Sequence, residues 1–230
     1  MKVAILDVTT VAPELEDIPT AGDTIKVWLT RAMPKDRLEV FSVAHGQSLP
    51  QIGDHDAFVL SGSEKGVYDD VPWMLAVRSF LEQVRDSGKP LFGICFGHQL
   101  MADTFGGKAQ LSEVGERVGV ERFAFSGREF DAHVWHRDQV THLPPQGQAV
   151  GMADYCPYGI IQYEFNAASV QFHPEIDKSY FEAATVRLAD NYYSQEQVKS
   201  ITDSLAGGVV DEDLFAEEAA RVLRGGRLAD

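Results

Sequence analysis

The sequence predicts an α/β fold, in which an open, mostly parallel sheet carries helices on both faces, antiparallel strand additions and a helical C-terminal extension. Three observations support this prediction. Short apolar runs alternate with helical patterns over residues 1–107, which is typical of a parallel sheet. Residues 108–173 instead hold closely spaced apolar runs separated by turn residues, which indicates antiparallel strands. Residues 177–230 are helical and acidic in pattern.

The first half of the chain begins with a nearly continuous apolar run at residues 2–8, as expected for a strand that is buried on both faces. Further strands are predicted at residues 38–44, 56–60 and 90–94. A helix is predicted at residues 24–33 and is ended by Pro34. A second is predicted between Asp70 and Gly88, where Gly88 and Pro90 end it. A third is predicted at residues 98–105 and is ended by Gly106 and Gly107.

The helix between Asp70 and Gly88 has the clearest signals. Asp70 is expected to cap it, and Pro72 is expected to lie in its first turn. Its apolar residues recur at helical spacing and are expected to face a core: Trp73, Val77, Phe80, Leu81 and Val84.

The second half completes a single domain. Its predicted strands lie at residues 118–125, 130–135, 149–153, 160–165 and 169–172, and its helices are broken at Ser194 and at residues 207–208. Because no linker rich in Pro or Ser separates these segments, residues 1–180 are expected to form the main domain. Residues 181–230 are expected to form a helical extension packed on that domain.

The amino-acid composition argues against several classes of function and location. The chain has 20 basic and 35 acidic residues and a net charge of −15, which argues against binding to nucleic acid or to an anionic membrane surface. Two cysteines make no disulfide framework, and neither a signal peptide nor a membrane-spanning apolar run is visible. A cytoplasmic protein is therefore expected.

Cys95 lies in the most informative stretch, Gly93-Ile94-Cys95-Phe96-Gly97. Glycines two residues before and two residues after Cys95 permit a tight, strained turn from strand to helix, as in nucleophile elbows. The turn would expose the thiol at the carboxyl end of the sheet and at a helix N-terminus, which favours thiolate and leaves backbone N–H groups for an oxyanion. Taken alone, the motif fits a buried cysteine among packing glycines equally well.

His173 and Glu175 shift this balance. They follow an apolar run in Val170-Gln171-Phe172-His173-Pro174-Glu175. A cysteine nucleophile needs a base that takes its proton and later protonates the leaving amine. A carboxylate two residues further on can fix the imidazole tautomer and stabilise imidazolium. The two motifs together favour a Cys–His–Glu arrangement over separate structural roles.

These motifs resemble the class I, triad-type glutamine amidotransferase family. The resemblance extends over about residues 45–180 and is carried by Gly-Ile-Cys-x-Gly-His-Gln and the later His-Pro-Glu. Within the family the sequence is similar to the glutaminase domain of GMP synthetase and to its stand-alone relatives. Residues 134–140 resemble that domain's Ser-His-x-Asp-x-Val segment, and residues 60–73 resemble its loop after the third strand, in a form also found in γ-glutamyl peptidases. The resemblance implies a flavodoxin-like catalytic domain.

The resemblance also implies roles at matching positions. Cys95 would be the nucleophile that forms a γ-glutamyl thioester, His173 the general base and acid, and Glu175 the residue that orients His173. The oxyanion donors would be the backbone amides of Phe96 and of the Gly62–Ser63 turn. The substrate's glutamyl end would contact Gln99 and the backbone near Trp135 and His136.

One departure from the family concerns the loop at residues 62–64. The family often has Gly-Gly-Pro there, whereas this chain has Gly62, Ser63 and Glu64. A serine tolerates positive φ poorly, so the resemblance leaves open which amide of the turn serves as oxyanion donor.

The remaining motifs favour structural interpretations. His133, His136 and His142 lack zinc-site spacing, and no nucleotide-binding glycine motif is present, so neither a metal nor a cofactor is expected. Cys156 is expected to be a passive thiol. The aromatic residues Phe181, Tyr192 and Tyr193 are expected to pack rather than to bind.

Two functions remain open. The first is a self-contained hydrolase of glutamine or of a γ-glutamyl peptide or amide, with a small γ-glutamyl substrate. The second is a glutaminase subunit that supplies ammonia to a separate synthase chain, since the sequence holds no ATP-using domain beside the amidase. A binding protein that has lost catalysis would be expected to lack part of the triad. A different family with a cysteine elbow is disfavoured by the His-Pro-Glu segment.

Overall fold

A parallel sheet forms the first half of the chain, as the alternation of apolar runs and helical patterns predicts. The structure is a computed structural model that describes residues 1–10, 12–189, 191–211 and 213–228. Strand β1 lies parallel between β2 and β3, and β3 pairs in parallel with β4. In chain order the elements are β1 (Lys2–Asp7), α1 (Ala21–Ala32), β2 (Arg37–Ser42), β3 (Ala57–Leu60), α2 (Met74–Asp86), β4 (Leu91–Ile94) and α3 (Phe96–Thr104).

The middle of the chain adds the remaining strands: β5 (Lys108–Leu111), β6 (Arg117–Phe125), β7 (Arg128–His136), β8 (Asp138–His142), β9 (Gly147–Ala153), β10 (Cys156–Tyr163) and β11 (Ala167–Val170). Within the described residues, nine strands form one sheet in the order β2-β1-β3-β4-β11-β10-β9-β6-β7. Strands β5 and β8, which the sequence analysis did not predict, pair with each other in a separate sheet.

Strand β11 corrects the expectation that residues 108–173 add only antiparallel strands. It pairs with β4 in parallel and with β10 antiparallel, so it belongs to the parallel part of the sheet. All four of its residues are buried, as in other strands that are covered on both faces. An apolar run looks the same in either strand direction, so the pattern alone could not separate the two cases.

Helices cover both faces of the sheet. Side chains of β1 alternate between the two faces, because successive residues of a strand point in opposite directions. Val3 and Ile5 pack in the core that contains α1 and a C-terminal helix, α6 (Leu214–Leu223), whereas Ala4 and Leu6 pack in the core that contains α2 and α3.

The C-terminal region is helical, with α4 (Lys178–Leu188) and α5 (Gln195–Gly207) preceding α6. The expected breaks coincide with the two ends of α5. Ser194 begins the helix with a capping box, in which its hydroxyl and the Gln197 side chain each accept a backbone N–H from the other residue. The expected domain boundary between residues 180 and 181 falls inside α4, and α6 is a layer of the main core rather than an addition to its surface.

Helix starts differ from those predicted. Helix α1 begins three residues earlier than predicted, because the Thr20 hydroxyl accepts the N–H of Asp23 and caps it there. Helix α2 begins after Trp73, so Asp70 does not cap it and Pro72 precedes it; Pro72 instead lies in a turn at residues 72–73. Helix α3 begins directly after Cys95, two residues earlier than predicted. None of the helices in the described ranges has the length and apolar character needed to cross a membrane.

Candidate active site

The sheet order brings three expected site segments together. Strand β4 lies between β3 and β11, and all three run parallel. Their carboxyl ends therefore share one edge of the sheet, where open α/β folds place their sites. Gly62 follows β3, Cys95 follows β4 and His173 follows β11.

Cys95 occupies a strained backbone conformation between β4 and α3. Its φ of 51° and ψ of −104° lie outside the regions that L-residues favour. Such conformations cost on the order of 1–3 kcal/mol and persist where the surrounding structure enforces them. The sequence analysis expected the flanking glycines to permit this strain, but neither glycine has a positive φ, and the strain falls on Cys95 itself.

The two elbow glycines are required by close packing instead. A Cβ on Gly93 would lie 2.5 Å from the sulfur of Met101, and a Cβ on Gly97 would lie 2.4 Å from the backbone oxygen of Leu60. Real Cβ atoms do not approach other atoms this closely. The glycines therefore let α3 pack directly onto β3 and β4.

His173 lies between Cys95 and Glu175. Its Nδ1 is 2.8 Å from Oε1 of Glu175, and all three side chains are buried. The second ring nitrogen is left to contact Cys95, with which His173 also interacts. The turn at Gly62 packs against both partners, since a Cβ there would be 3.1 Å from His173 Cε1 and 3.7 Å from Cys95 Cβ.

The electrostatics of this group favour a charged histidine. Burial by itself lowers the pKa of His173, because it penalises the imidazolium. Negative charge on Cys95 and Glu175, together with hydrogen bonds to both, outweighs burial and holds the pKa of His173 well above 6.5. The arrangement is therefore suited to an imidazolium paired with a thiolate and a carboxylate.

Backbone N–H groups near Cys95 are available to an anion. Phe96 is the first residue of α3, and the first N–H groups of a helix have no acceptor within it. The turn at Gly62 and Ser63 is fixed by hydroxyl groups: the Ser61 hydroxyl donates to the carbonyl of Gly62, and the Ser63 hydroxyl donates to the carbonyl of Val8, each at 2.8 Å.

The departure from Gly-Gly-Pro causes no backbone strain. Neither Gly62 nor Ser63 has a positive φ, so a serine fits the turn. Glu64, in the place of proline, accepts the N–H of Thr10 at 3.0 Å and also accepts the hydroxyl of Thr10. This contact joins the turn to the segment that follows β1.

The residues expected to contact substrate line the same cavity as Cys95. Gln99 donates from Nε2 to the backbone oxygen of Asp138 at 2.7 Å, which fixes its orientation. The backbone oxygen of Trp135 lies 3.7 Å from the sulfur of Cys95. His136 is held at both ring nitrogens, by the carbonyl of Asp138 at 2.9 Å and by the hydroxyl of Tyr155 at 3.1 Å.

His136 is a neutral residue of the cavity lining. Burial is the main cause that lowers its pKa, to about 4, and the nearby charge of His173 adds to the effect. Since the carbonyl of Asp138 can only accept, Nδ1 of His136 carries the proton and Nε2 accepts from Tyr155.

The cavity holds about 600 Å³ and extends well beyond these residues. Part of its lining comes from residues 9, 10 and 12–24, and another part comes from α4 and from Tyr192 and Tyr193, which lie between α4 and α5. Tyr192 and Tyr193 line it, and Tyr193 also packs against a buried cluster, as expected. Phe181 packs as expected, with its ring 5.3 Å from that of Trp135. The sequence signal that could have separated them is position, because the two tyrosines follow the end of α4 whereas Phe181 lies within it.

The other residues singled out from the sequence do not line the cavity, although the carbonyl of His133 accepts the N–H of His173 at 2.8 Å. His133 contacts the carbonyl of Ile176 through Nδ1 at 2.7 Å, and His142 is exposed. In the described ranges no group of three His, Cys, Asp or Glu side chains is placed to hold a metal ion. Cys156 is buried, which raises its pKa to about 12.

The fold and the cavity at its carboxyl edge define an open α/β protein with a cysteine elbow. The chain belongs to the class-I glutamine amidotransferase family, whose model matches residues 18–189.

Relatives by sequence include the glutamine-hydrolyzing GMP synthase of Vibrio vulnificus, with 35% identity over 53% of this chain and 24% of that protein. A subunit of the glutamine-hydrolyzing GMP synthase of Pyrococcus furiosus is 37% identical over 42% of this chain and 56% of that protein. Gamma-glutamyl peptidase 2 of Arabidopsis thaliana is 27% identical over 62% of this chain and 63% of that protein. The matches thus span from about a quarter to somewhat under two thirds of these relatives.

Solved structures agree on the fold. A glutamine amidotransferase from Thermotoga maritima superposes with a TM-score of 0.76 at 16% identity, over 97% of this chain and 96% of that chain. A glutamine amidotransferase from Methylobacillus flagellatus gives a TM-score of 0.74 at 18% identity, over 99% of this chain and 96% of that chain. At these identities the likeness concerns the fold alone.

Proposed function

We propose that the protein is a self-contained hydrolase that cleaves the γ-glutamyl amide bond of glutamine, or of a γ-glutamyl peptide or amide, through a thioester on Cys95. One observation carries the proposal: His173 contacts both Cys95 and Glu175 at the base of the cavity. A nucleophile, a base and an orienting carboxylate in this order form the arrangement that acyl transfer requires.

The proposed mechanism proceeds in two acyl-transfer steps. The Cys95 thiolate attacks the γ-carbonyl carbon, and the oxyanion accepts N–H bonds from Phe96 and from the Gly62–Ser63 turn. Such donors contribute about 2.7–4 kcal/mol each in other enzymes. The tetrahedral intermediate then collapses as the imidazolium of His173 gives its proton to the leaving amine, which leaves a γ-glutamyl thioester.

Hydrolysis of the thioester completes the cycle. Neutral His173 takes a proton from water, whose oxygen attacks the thioester carbon and forms glutamate. The sulfur of Cys95 departs as thiolate and again faces imidazolium. Glu175 stabilises the imidazolium in both steps, and the sequence of steps uses neither a metal nor an organic cofactor.

The size of the cavity supports a substrate larger than glutamine. About 600 Å³ lies within the range of sites that bind drug-sized ligands, which exceed one amino acid in volume. The alternative is a glutaminase subunit that supplies ammonia to a separate synthase chain. The likeness to the GMP synthase subunit of Pyrococcus furiosus favours it. The position of Tyr192 and Tyr193 in the cavity lining favours the self-contained hydrolase, since the chain's own C-terminal region supplies part of the site.

The test is release of glutamate by the purified chain from glutamine and from a panel of γ-glutamyl peptides and amides. Cys95→Ala and His173→Ala are expected to abolish release, and Glu175→Ala is expected to retain a small part of it. Cys156→Ala is the matched control, because Cys156 is a buried thiol outside the proposed chemistry, and this variant is expected to retain activity. Undiminished turnover by Cys95→Ala would overturn the mechanism. Failure of the wild type on every substrate would favour the synthase-dependent subunit.

A further inference from the structure

One side of the cavity is apolar and aromatic. Tyr180, Tyr192 and Tyr193, which we call the tyrosine wall, line it together with the aliphatic residues Leu15, Ile176 and Leu188. None of these residues takes part in the proposed acyl-transfer chemistry. Aromatic and aliphatic lining of this kind binds apolar groups by removing them from water.

Two residues of the tyrosine wall, Tyr180 and Tyr193, are held in place by contacts within the protein. The hydroxyl of Tyr193 accepts the indole N–H of Trp135 at 2.9 Å, and the hydroxyl of Tyr180 donates to the carbonyl of Pro19 at 3.3 Å. Tyr180 and Tyr193 also pack, with Trp135, against the buried cluster of Ile176, Phe181, Ile201 and Leu205. Tyr180 and Tyr193 therefore lose little conformational entropy when a ligand binds there.

The tyrosine wall lines the same cavity as His173, and one of its residues, Tyr180, lies near Glu175. A general acid has to lie beside the leaving nitrogen, so the substituent on that nitrogen extends past His173. Ile176 closely follows His173 and Glu175 in the chain and lines the cavity. Tyr180 lies one turn further on and senses the charge of Glu175: burial raises the pKa of Tyr180 to about 12, and Glu175 adds to the rise.

The charges that line the cavity do not favour a carboxylate on the leaving group. Apart from the histidines His136 and His173, the basic side chains among its described lining residues are Lys65 and Arg137. Lys65 forms an ion pair with Glu64 at 3.1 Å, and Nε of Arg137 lies 4.0 Å from Asp138. A second carboxylate, such as that of a γ-glutamyl amino acid, would have to compete with these acidic partners.

We infer that the tyrosine wall binds an apolar substituent on the leaving amine, so that the preferred substrates are γ-glutamyl amides of arylalkyl or long alkyl amines without a carboxylate. This inference rests on the proposed function and specifies its substrate class. The bond broken is the γ-amide, and the products are glutamate and the free amine.

The first test compares three substrates of matched chemistry: γ-glutamyl-phenethylamide, γ-glutamyl-methylamide and γ-glutamyl-phenylalanine. The first two release simple primary alkylamines, so their difference in kcat/KM reports binding of the phenyl group. We expect kcat/KM for the phenethylamide to exceed that for the methylamide by about tenfold to a hundredfold, as for burial of one aromatic side chain. We expect γ-glutamyl-phenylalanine, which differs from the phenethylamide by its carboxylate, to react at least about tenfold more slowly than the phenethylamide. Equal values for the two amides, or a faster reaction of γ-glutamyl-phenylalanine, would overturn the inference.

The second test changes the wall. Tyr192 is largely exposed, so Tyr192→Ala is expected to fold normally. It should lower the ratio of kcat/KM for the phenethylamide to that for the methylamide by about threefold to tenfold. Val186→Ala is the control, because Val186 is 72% exposed on α4 and does not line the cavity. An unchanged ratio in Tyr192→Ala, or the same loss in both variants, would contradict the assignment.

A binding measurement separates failure of this inference from failure of the proposed function. If the wild type cleaves none of the substrates, the proposed function fails, and calorimetry with Cys95→Ala still measures affinity. A Kd for the phenethylamide at least about tenfold below that for the methylamide would support the apolar subsite without catalysis. Equal Kd values would overturn it.

Discussion

Gly97→Ala tests whether the cysteine elbow is held by close packing of α3 against β3. The added Cβ would lie 2.4 Å from the backbone oxygen of Leu60 and 3.0 Å from its carbonyl carbon. Ordinary contacts begin at 3.4 Å, so the two elements have to separate by roughly 1 Å. Leu60 cannot rotate its backbone away, since β3 is paired on both sides by β1 and β4.

The expected cost follows from this displacement. Overpacking a closely packed core typically lowers the free energy of unfolding by about 1–3 kcal/mol. In a chain of this length each kcal/mol corresponds to about 2–4 °C in Tm, so a decrease of about 2–12 °C is expected. Because α3 begins directly after Cys95, a shift of roughly 1 Å also moves the thiol relative to the Gly62 turn, and kcat/KM should fall about a hundredfold.

Gly53→Ala is the matched control. Gly53 has no positive φ, and an added Cβ there would meet nothing within 4 Å. Its free energy of unfolding, measured by urea denaturation with circular dichroism, should lie within about 0.5 kcal/mol of the wild type. If Gly97→Ala is as stable as Gly53→Ala, close packing does not constrain the elbow, and the reasoning is wrong.

Three further predictions concern individual groups. The imidazolium of His173 should contribute its stabilisation fully below about pH 6.5 and lose it as pH rises through its raised pKa; Glu175→Gln should move the imidazole titration, followed by NMR, to lower pH, and an unchanged titration would contradict the pairing. Burial lowers the pKa of His98 to about 3, so the free energy of unfolding should decrease as pH falls from 6.5 toward 3, by up to about 1.4 kcal/mol per pH unit. His98→Asn should reduce this dependence on pH, measured by urea denaturation. An unchanged dependence would contradict the burial argument. Gly62→Ala should lower kcat/KM at temperatures well below its Tm, because its Cβ would lie 3.1 Å from the ring of His173. A lower Tm with unchanged kcat/KM would show that the turn is only structural.

The elements that form the elbow could be predicted because their signals are local. Gly93, Gly97 and the apolar run before Cys95 specify a strand, a tight turn and a helix within a few residues. The direction of β11 could not be predicted, because it depends on which neighbour the strand finds in the sheet. The start of α1 shows an intermediate case: Thr20 is a recognisable cap, but the weak apolar pattern of the first turn hides it.

The sequence analysis also could not predict that Tyr192 and Tyr193 line the cavity. Tyr192 and Tyr193 occur at helical spacing from Phe181, and spacing alone indicates a packing face. The position of Tyr193 in the cavity is fixed by its hydrogen bond with Trp135, which is far from it in the chain and meets it only in the folded protein. The residues proposed for specificity are positioned by tertiary contacts, whereas the proposed nucleophile is positioned by a local turn.

The strained conformation of Cys95 is enforced from both sides of the residue. Its N–H donates to the carbonyl of Val170 at 2.8 Å, which fixes the end of β4 against β11. Its carbonyl accepts the N–H of Gln99 at 3.0 Å, which is the first hydrogen bond of α3. Relaxing φ toward ordinary values would break one of these bonds, and each lies in the buried centre of the fold, where an unpaired backbone group costs about 1–3 kcal/mol. The residues proposed for the chemistry therefore lie at the rigid edge of the sheet, while the tyrosine wall proposed for specificity lies in the region of α4 and α5.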